Sequence, residues 1–186
     1  MSIAPVVIVT GSPGVGKTTT AQVAADRFDA SAHIVGDHFF RYVRGGAIDP
    51  SLPESDEQNR QVMAISGATA TAYARTGRTT FLEGIYGPWF LDDVRDAIDV
   101  PSHYVVLRAP LDTCVQRALA RHDERGDDGL EHRDRDDLVR VVRQMHPQFL
   151  NLGKYERFIV SADDRSPEEI ADAVLARLAA GELLLG

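Results

Sequence analysis

Short apolar runs recur along the chain, and a stretch with helical character follows each of them. The runs are rich in β-branched residues and show no polar alternation, which is typical of strands buried on both faces. Because strands and helices alternate, the pattern predicts an α/β fold with one five-stranded parallel sheet and helices on both faces. The predicted strands are residues 6–9, 33–36, 79–82, 103–107 and 158–160.

The segments between and after these strands predict helices. Ser55 with Gln58 resembles a capping box before the second helix, and Pro88 suits the first turn of the third. Ser166 and the proline and acids after it are typical of the start of the last helix. The five predicted helices that precede the last one cover about residues 19–28, 56–75, 88–98, 111–122 and 138–145.

Residues 123–137 differ in amino-acid composition from the rest of the chain. They are mainly carboxylates and arginines, interrupted by glycines, and only Leu130 is suited to a core. Such a segment is typical of a solvated, mobile loop. We therefore expect a single domain over residues 1–186 with a short lid at about residues 123–137.

Composition narrows the class of protein. A chain of 186 residues with 44% apolar and 26% charged residues is typical of one globular domain. The net charge of −8 disfavours a nucleic-acid partner, and no apolar run is long enough for a membrane span or a signal peptide. Cys114 is the single cysteine, which excludes an intramolecular disulfide and fits a cytoplasmic setting. We expect a monomer or a homodimer.

The turn between the first strand and the first helix carries the most specific motif. Residues 11–18 read GSPGVGKT and match G-x-x-x-x-G-K-[ST] at every fixed position. In such a loop, backbone N–H groups and the helix N-terminus converge on phosphate oxygens. Lys17 is predicted to reach the β- and γ-phosphates of a nucleotide, and the Thr18 hydroxyl to ligate Mg²⁺. The predicted nucleotide-binding residues of this loop are Gly11, Ser12, Pro13, Gly14, Val15, Gly16, Lys17, Thr18 and Thr19.

Two carboxylates follow predicted strands and belong to the edge of the sheet where parallel α/β folds bind ligands. Asp37 follows the second strand, where it would bind an acceptor and take the proton of its hydroxyl; alternatively, it caps the helix-like segment at residues 39–43. Glu83 ends the third strand, where it would contact Mg²⁺ or the substrate, or else pair locally.

Arginines on the fourth predicted helix are candidates for stabilising a transferring phosphoryl group. Arg117 and Arg121 lie four residues apart, and Arg125 leads into the lid. Their guanidinium groups would offset charge that develops in the transition state; the alternative is a solvated helix face paired with the acids of the lid. The predicted catalytic residues are Lys17, Asp37, Arg121 and Arg125.

The segment after Asp37 contains further candidates for binding an acceptor. Arg41 and Arg44 would suit an anionic or polar molecule, but they are equally surface charges. Three aromatic or imidazole side chains are candidates either for the acceptor pocket or for simple packing, namely His38, Tyr86 and Trp89. The predicted substrate-binding residues are Asp37, Arg41, Arg44 and Glu83.

The order of these features resembles that of the small P-loop kinases, in the group that holds shikimate and gluconate kinases, chloramphenicol phosphotransferase, the tunicamycin-resistance proteins and the zeta toxins. The resemblance covers nearly the whole chain, from the loop at residues 11–18 through Leu82-Glu83-Gly84 and residues 105–110 to Ser161-Ala162-Asp163. It implies the P-loop NTPase fold with strand order 2-3-1-4-5. It also implies ATP with Mg²⁺ and transfer of the γ-phosphoryl to a hydroxyl of a small molecule: a metabolite, an antibiotic or a nucleotide sugar.

The resemblance also implies roles for particular residues. An acid in the position of Asp37 binds or deprotonates the acceptor, and an arginine in the position of Arg117 stacks on adenine opposite residues 162–167. Lid arginines contact the phosphates, which suits Arg121 and Arg125. The chain lacks the Asp-x-Asp and Gly-Gly-Gly signatures of shikimate kinases, so shikimate is not the expected acceptor.

A rival hypothesis is a nucleotide-dependent switch or NTPase without a small-molecule acceptor. In that case nucleotide binding or slow hydrolysis would move residues 123–137 and change the affinity for a partner. The lack of an obvious glutamine for orienting a hydrolytic water disfavours it. A toxin-like kinase acting on nucleotide sugars also stays open.

Overall fold

The computed structural model describes residues 2–125 and 134–185, without the side chains of residues 124 and 125. One parallel sheet has the strand order β2-β3-β1-β4-β5, which confirms the predicted fold class. Its strands are β1 (Val6–Gly11), β2 (Ser31–Val35), β3 (Thr79–Glu83), β4 (Ser102–Arg108) and β5 (Ile159–Ser161).

Helices pack around the sheet, with α1 against α6, α2 against α3 and α4 against α5. Short 3₁₀ helices cover Gly36–Tyr42, Pro53–Ser55, His146–Phe149 and Gly153–Phe158. Among the described helices, none combines the length and the apolar character that crossing a bilayer requires. The α-helices are α1 (Lys17–Ala25), α2 (Asp56–Arg75), α3 (Leu91–Asp96), α4 (Leu111–Arg125), α5 (Arg135–Met145) and α6 (Pro167–Ala179).

The central strand β1 determines where the functional loop lies. It pairs with β3 on one side and β4 on the other, and all six of its residues are buried. Burial on both faces explains why its sequence, VVIVTG, shows no polar alternation. The loop at residues 11–18 therefore begins at the most enclosed strand of the sheet.

Helix ends show where local patterns predict well and where they fail. The Ser166 hydroxyl accepts from the Glu169 N–H and the Glu169 carboxylate accepts from the Ser166 N–H, which confirms the start of α6. The predicted capping box of α2 is wrong. Ser55 instead donates to the Leu52 carbonyl at 2.7 Å, and the Gln58 side chain bonds to the backbone of Ile48.

The third helix is also shorter than predicted. It begins at Leu91 and ends at Asp96, so Pro88 lies in the turn before it and not in its first turn. The Phe90 N–H donates to the Gly87 carbonyl in that turn. This compact turn carries Trp89 toward Phe149, whose ring centroid lies 5.3 Å away.

The ends of the predicted lid at residues 123–137 are helical. α4 continues to Arg125, and α5 begins at Arg135 after Asp134, whose carboxylate accepts from the Asp137 N–H. An ion pair between Arg135 and Asp123 joins the two helices. The middle of the predicted lid, residues 126–133, lies outside the described residues.

Candidate active site

The loop at residues 11–18, called the phosphate loop below, connects β1 to the first turn of α1. Gly14 has a φ of +78°, and a Cβ atom there would lie 2.1 Å from the Cys114 carbonyl oxygen on α4. Only glycine fits such a close approach of two backbones. Gly16 adopts the left-handed conformation just before α1, so the loop leads directly into the helix N-terminus.

Lys17 is held inside the phosphate loop. Its side chain is buried, and its ammonium donates to the carbonyls of Gly11 at 3.1 Å and Ser12 at 3.2 Å. Burial lowers the pKa of Lys17, while the nearby carboxylates of Glu83 and Asp37 raise it. The positive charge thus lies at the centre of the loop, between the predicted phosphate position and two acids.

Glu83 and Thr18, the two predicted metal ligands, are in direct contact. The Thr18 hydroxyl donates to Glu83 Oε1 at 2.9 Å, and only 2% of Glu83 is exposed. Burial raises the pKa of Glu83, and the charge of Lys17 and the bond from Thr18 oppose that rise. Strand β3 therefore delivers a carboxylate to the mouth of the phosphate loop, as its position in the sequence predicted.

Asp37 lies in the 3₁₀ helix that follows β2 and is half-buried. The cap position of that helix is Val35, and no side chain caps it, so the capping alternative for Asp37 is wrong. Within the described part of the chain, the Asp37 carboxylate makes no hydrogen bond or ion pair. Its charge nevertheless raises the pKa of both Lys17 and Glu83. The carboxylate is thus close to the phosphate loop and open to a ligand.

Arg117 lies between the phosphate loop and the loop that follows β5, beside the residues 162–167 that the resemblance places opposite it. One guanidinium nitrogen donates to the Val15 carbonyl in the phosphate loop at 3.2 Å and to the Ala162 carbonyl at 3.0 Å. The other terminal nitrogen donates to the Arg165 carbonyl at 3.4 Å. The edge of the guanidinium group is therefore directed at backbone carbonyls of two loops.

The other two arginines of α4 differ in how far the structure describes them. Arg121 is exposed, and its charge lowers the pKa of both Lys17 and Glu83, so it lies near the mouth of the phosphate loop. Arg125 ends α4, but its side chain lies outside the described part of the chain. Of Arg121 and Arg125, the described part of the structure thus places only Arg121 near the phosphate loop.

The remaining predicted acceptor residues divide between surface and core. Arg41 and Arg44 are exposed on the segment after Asp37. Tyr86 is a core residue, since it is 1% exposed and its hydroxyl lies 2.8 Å from that of Ser66. Trp89 is half-buried and packs on Phe149, and His38 is exposed.

Sequence reasoning missed what Tyr86 does from inside the core. Its hydroxyl lies 2.1 Å from where a Cβ atom of Gly36 would be, next to Asp37 in the chain. Its backbone N–H donates to the Thr10 hydroxyl, and its carbonyl accepts from the Tyr104 hydroxyl. The glycine directly before Asp37 was the available signal of this close approach.

The donor set at the mouth of the phosphate loop fits Mg²⁺. A hydroxyl and a carboxylate oxygen are hard ligands, and Mg²⁺ commonly uses one or two protein oxygens together with phosphates and waters. The described residues contain no group of three or more histidine, cysteine or acidic side chains able to hold a metal by themselves. Thr18 and Glu83 would thus hold the ion only together with a phosphate ligand.

A family model described as "AAA domain" matches residues 7–139. The chain belongs to the AAA domain family. The match begins in β1 and includes the phosphate loop, Asp37 and Glu83, and all three candidate arginines of α4. A comparison with curated proteins found no match for this AAA domain.

Solved structures with the same fold include small kinases. A sugar kinase from Janibacter sp. HTCC2649 has a TM-score of 0.69 at 18% identity, with 95% of each chain covered. A gluconokinase from Sinorhizobium meliloti 1021 has a TM-score of 0.63 at 18% identity, with 97% of each chain covered. These similarities confirm the resemblance of the AAA domain to small P-loop kinases at the level of the fold.

A third solved structure contains ligands. It is the APS kinase from Mycobacterium tuberculosis in complex with AMPPNP and APS, with a TM-score of 0.65 at 18% identity. The similarity covers 96% of this chain and 99% of that one. A protein of this fold thus binds a nucleotide analogue together with a small acceptor.

Proposed function

We propose that the protein transfers the γ-phosphoryl group of ATP to a hydroxyl of a small molecule. The observation that carries this proposal is the meeting of Thr18, Glu83 and Lys17 at the phosphate loop, with the Asp37 carboxylate, which has no partner among the described residues, beside them. A nucleotide site alone does not require such a carboxylate. An acceptor hydroxyl does, because it loses its proton during transfer.

In this proposal the acceptor oxygen attacks the γ-phosphorus of ATP. A P–O bond forms to the acceptor while the bond from the γ-phosphorus to the β,γ-bridging oxygen breaks, and its electron pair leaves with ADP. The hydroxyl proton moves to the Asp37 carboxylate. Lys17 and Arg121 offset the negative charge of the phosphoryl oxygens as it redistributes.

Thr18 and Glu83 would hold Mg²⁺ with the phosphates, and the ion would supply neutralisation of phosphate charge. Residues of the chain would orient the phosphates and the acceptor. Lys17 is positioned by loop carbonyls, and its ammonium would turn from them toward the phosphate oxygens. The exposed Arg41 and Arg44 lie on the Asp37 side, which suits them to binding an anionic or polar part of the acceptor.

The first test is thermal stabilisation of the purified protein. ATP with Mg²⁺ should raise the melting temperature by mass action. A panel of hydroxyl-bearing metabolites, antibiotics and nucleotide sugars is then added with a non-hydrolysable ATP analogue. An acceptor of the right class should raise the melting temperature further and become phosphorylated when ATP replaces the analogue.

Asp37→Asn tests the role of the carboxylate with that acceptor. Phosphoryl transfer should fall by about 10²- to 10⁴-fold, which is the usual contribution of a general base. Asp29→Asn is a matched control, because Asp29 is exposed and precedes β2 at the opposite end of the sheet. Full transfer activity in Asp37→Asn would contradict the base assignment. ATP hydrolysis at the same rate with and without every acceptor would favour a nucleotide-dependent switch instead.

A further inference from the structure

The Arg117 side chain joins two loops that are far apart in the sequence. Its Nη1 atom donates to Val15 in the phosphate loop, 102 residues away, and to Ala162, 45 residues away. Its Nη2 atom donates to Arg165 in the same loop as Ala162. That loop, residues 162–166, is called the β5–α6 loop below. One side chain thus holds the backbone of both loops.

The helix that carries Arg117 also contacts the phosphate loop directly. The Cys114 carbonyl lies where a Cβ atom of Gly14 would be, and the Ala118 side chain is the next neighbour of that position on α4. Cys114 and Ala118 are both buried. The phosphate loop therefore lies against a firm surface of α4, and Arg117 extends that surface to the β5–α6 loop.

We infer that Arg117 is a positioning residue that fixes the phosphate loop and the β5–α6 loop relative to each other. Its in-plane N–H groups are directed at carbonyls, so its contribution to the site includes the shape of the phosphate loop, on which phosphate binding depends. Phosphate binding in the phosphate loop is therefore coupled to the conformation of the β5–α6 loop. The inference rests on the nucleotide-binding part of the proposed function.

The geometry of the guanidinium group, and not only its charge, is needed for this role. A planar fork of donors can bind several carbonyls at once, whereas a lysine ammonium is a compact charge on a flexible stem. Arg117→Lys therefore keeps the charge but cannot hold Val15, Ala162 and Arg165 together. A stacking role alone would leave the phosphate loop unaffected by this change.

The test compares ATP with tripolyphosphate, which has the phosphates but no base. Dissociation constants are measured by calorimetry with Mg²⁺ for wild type and Arg117→Lys. We expect both ligands to bind Arg117→Lys more weakly by roughly tenfold, because binding must then order a phosphate loop that Arg117 no longer holds. Arg177→Lys is a matched control, because Arg177 donates to the Ile159 and Arg157 carbonyls from α6. It should leave both constants within about twofold of wild type.

The other possible results for the affinities of ATP and tripolyphosphate would contradict either the inference or the proposed function. A loss of ATP affinity with unchanged tripolyphosphate affinity would overturn the inference and leave Arg117 as a contact of the base only. Unchanged affinity for both ligands would overturn it too. A wild-type protein that binds neither ligand would contradict the proposed function itself.

Hydrogen exchange in the wild-type protein tests the coupling without relying on a variant that folds. Tripolyphosphate should slow amide exchange in the β5–α6 loop, which that ligand does not reach with a base. The absence of such protection would overturn the inference even if Arg117→Lys proved unstable.

Discussion

The Thr18 hydroxyl donates a 2.9 Å hydrogen bond to the carboxylate of Glu83, 65 residues later in the chain. The bond joins the first turn of α1 to the end of β3 and places both predicted metal ligands at the mouth of the phosphate loop. It exists because β1 and β3 are neighbours in register, with Val9 opposite Glu83. The pairing of these two strands thus brings Thr18 and Glu83 together.

Replacing Glu83 with glutamine should weaken the contribution of Mg²⁺ to ATP binding. The amide oxygen can still accept from Thr18, so the bond between the two elements is kept, but the negative charge that attracts the cation is lost. We expect ATP affinity with Mg²⁺ to fall by roughly tenfold, and affinity without Mg²⁺ to change by less than about twofold. Calorimetric titrations with and without the metal measure both.

Glu57→Gln provides the matched control for that experiment. Glu57 is exposed in the first turn of α2, and its loss should leave both affinities as in wild type. An equal loss of ATP affinity with and without Mg²⁺ in Glu83→Gln would contradict a metal role for Glu83. It would indicate a structural role instead.

Gly36→Ala should destabilise the protein through Tyr86. The new Cβ atom would lie 2.1 Å from the Tyr86 hydroxyl and 2.9 Å from the Glu83 carbonyl oxygen, and overpacking of this kind costs about 1–3 kcal/mol. Tyr86→Phe removes the closest atom but also the bond to Ser66. Urea unfolding of both single variants and the double variant should show coupling, with the double variant more stable than the sum of the single effects predicts. Additive effects would exclude this contact.

The same pair of residues should also affect catalysis. Gly36 directly precedes Asp37, so displacement of its backbone moves the proposed base away from the acceptor. We expect Gly36→Ala to lower phosphoryl transfer while the affinity for ATP stays close to wild type. A fall in ATP affinity with normal transfer would place the effect in the nucleotide site instead.

Protein stability should decrease as the pH falls below about 6.5, because of two histidines. Nε2 of His33 and Nδ1 of His103 are buried and have no hydrogen-bond partner among the described residues. Burial lowers the pKa of both below the ordinary value of 6.5. The unfolded chain then binds more protons than the folded one between the folded pKa values and 6.5, so unfolding is favoured there.

His103→Phe should flatten this pH dependence. Phenylalanine fills similar space beside the apolar Val7 and Phe28 and cannot take up a proton. Chemical denaturation between neutral and mildly acidic pH measures the slope of the free energy of unfolding. A slope equal to that of wild type would exclude His103 as a source of the acid sensitivity.

Glu156 should remain ionised far below its ordinary pKa. Two nitrogens of Arg108 donate to its two carboxylate oxygens at 3.0 and 2.8 Å, and the Leu152 N–H donates as well. These bonds hold the pKa of Glu156 at about 2. Because this value lies below the ordinary 4.5, the stabilisation is complete above pH 4.5 and is lost as the pH falls through about 2.

NMR titration of the Glu156 carboxyl carbon checks this value. In Arg108→Lys the bidentate contact is lost, so the titration midpoint should move up toward 4.5. Substitution of Lys154, which lies over the ring of Tyr155 in the same segment, is the control and should leave the titration midpoint of Glu156 unchanged. A midpoint near 4.5 in the wild type would contradict the bidentate pairing in solution.

The sequence predicted the sheet and the phosphate loop because both depend on local signals. β-branched runs mark strands buried on both faces, and the motif at residues 11–18 marks the loop between the first strand and the first helix. The positions of Asp37 and Glu83 followed from the rule that parallel strands present their carboxyl ends at one edge. These predictions needed no knowledge of packing.

The predictions that failed, and the contacts that the sequence did not reveal, involve segments far apart in the chain. Ser55 bonds to a turn before it and so cannot cap α2, and nothing in its neighbours in the sequence shows this. The partners of Arg117 are backbone carbonyls, which carry no sequence signature. The position of Tyr86 against Gly36 depends on how two strand ends pack, which spacing along the chain does not describe.

The positions of β1 and β2 in the sheet place different structural constraints on the two parts of the proposed site. The phosphate loop extends from the central strand, where any backbone change disturbs two neighbours, whereas Asp37 and the arginines after it extend from an edge strand. Residues 44–47 of this segment are exposed, so substitutions there have few packed partners to disrupt, whereas Phe40 packs against the core. Under the proposed function, this edge is therefore where a new acceptor could be engineered while the phosphate loop stays intact.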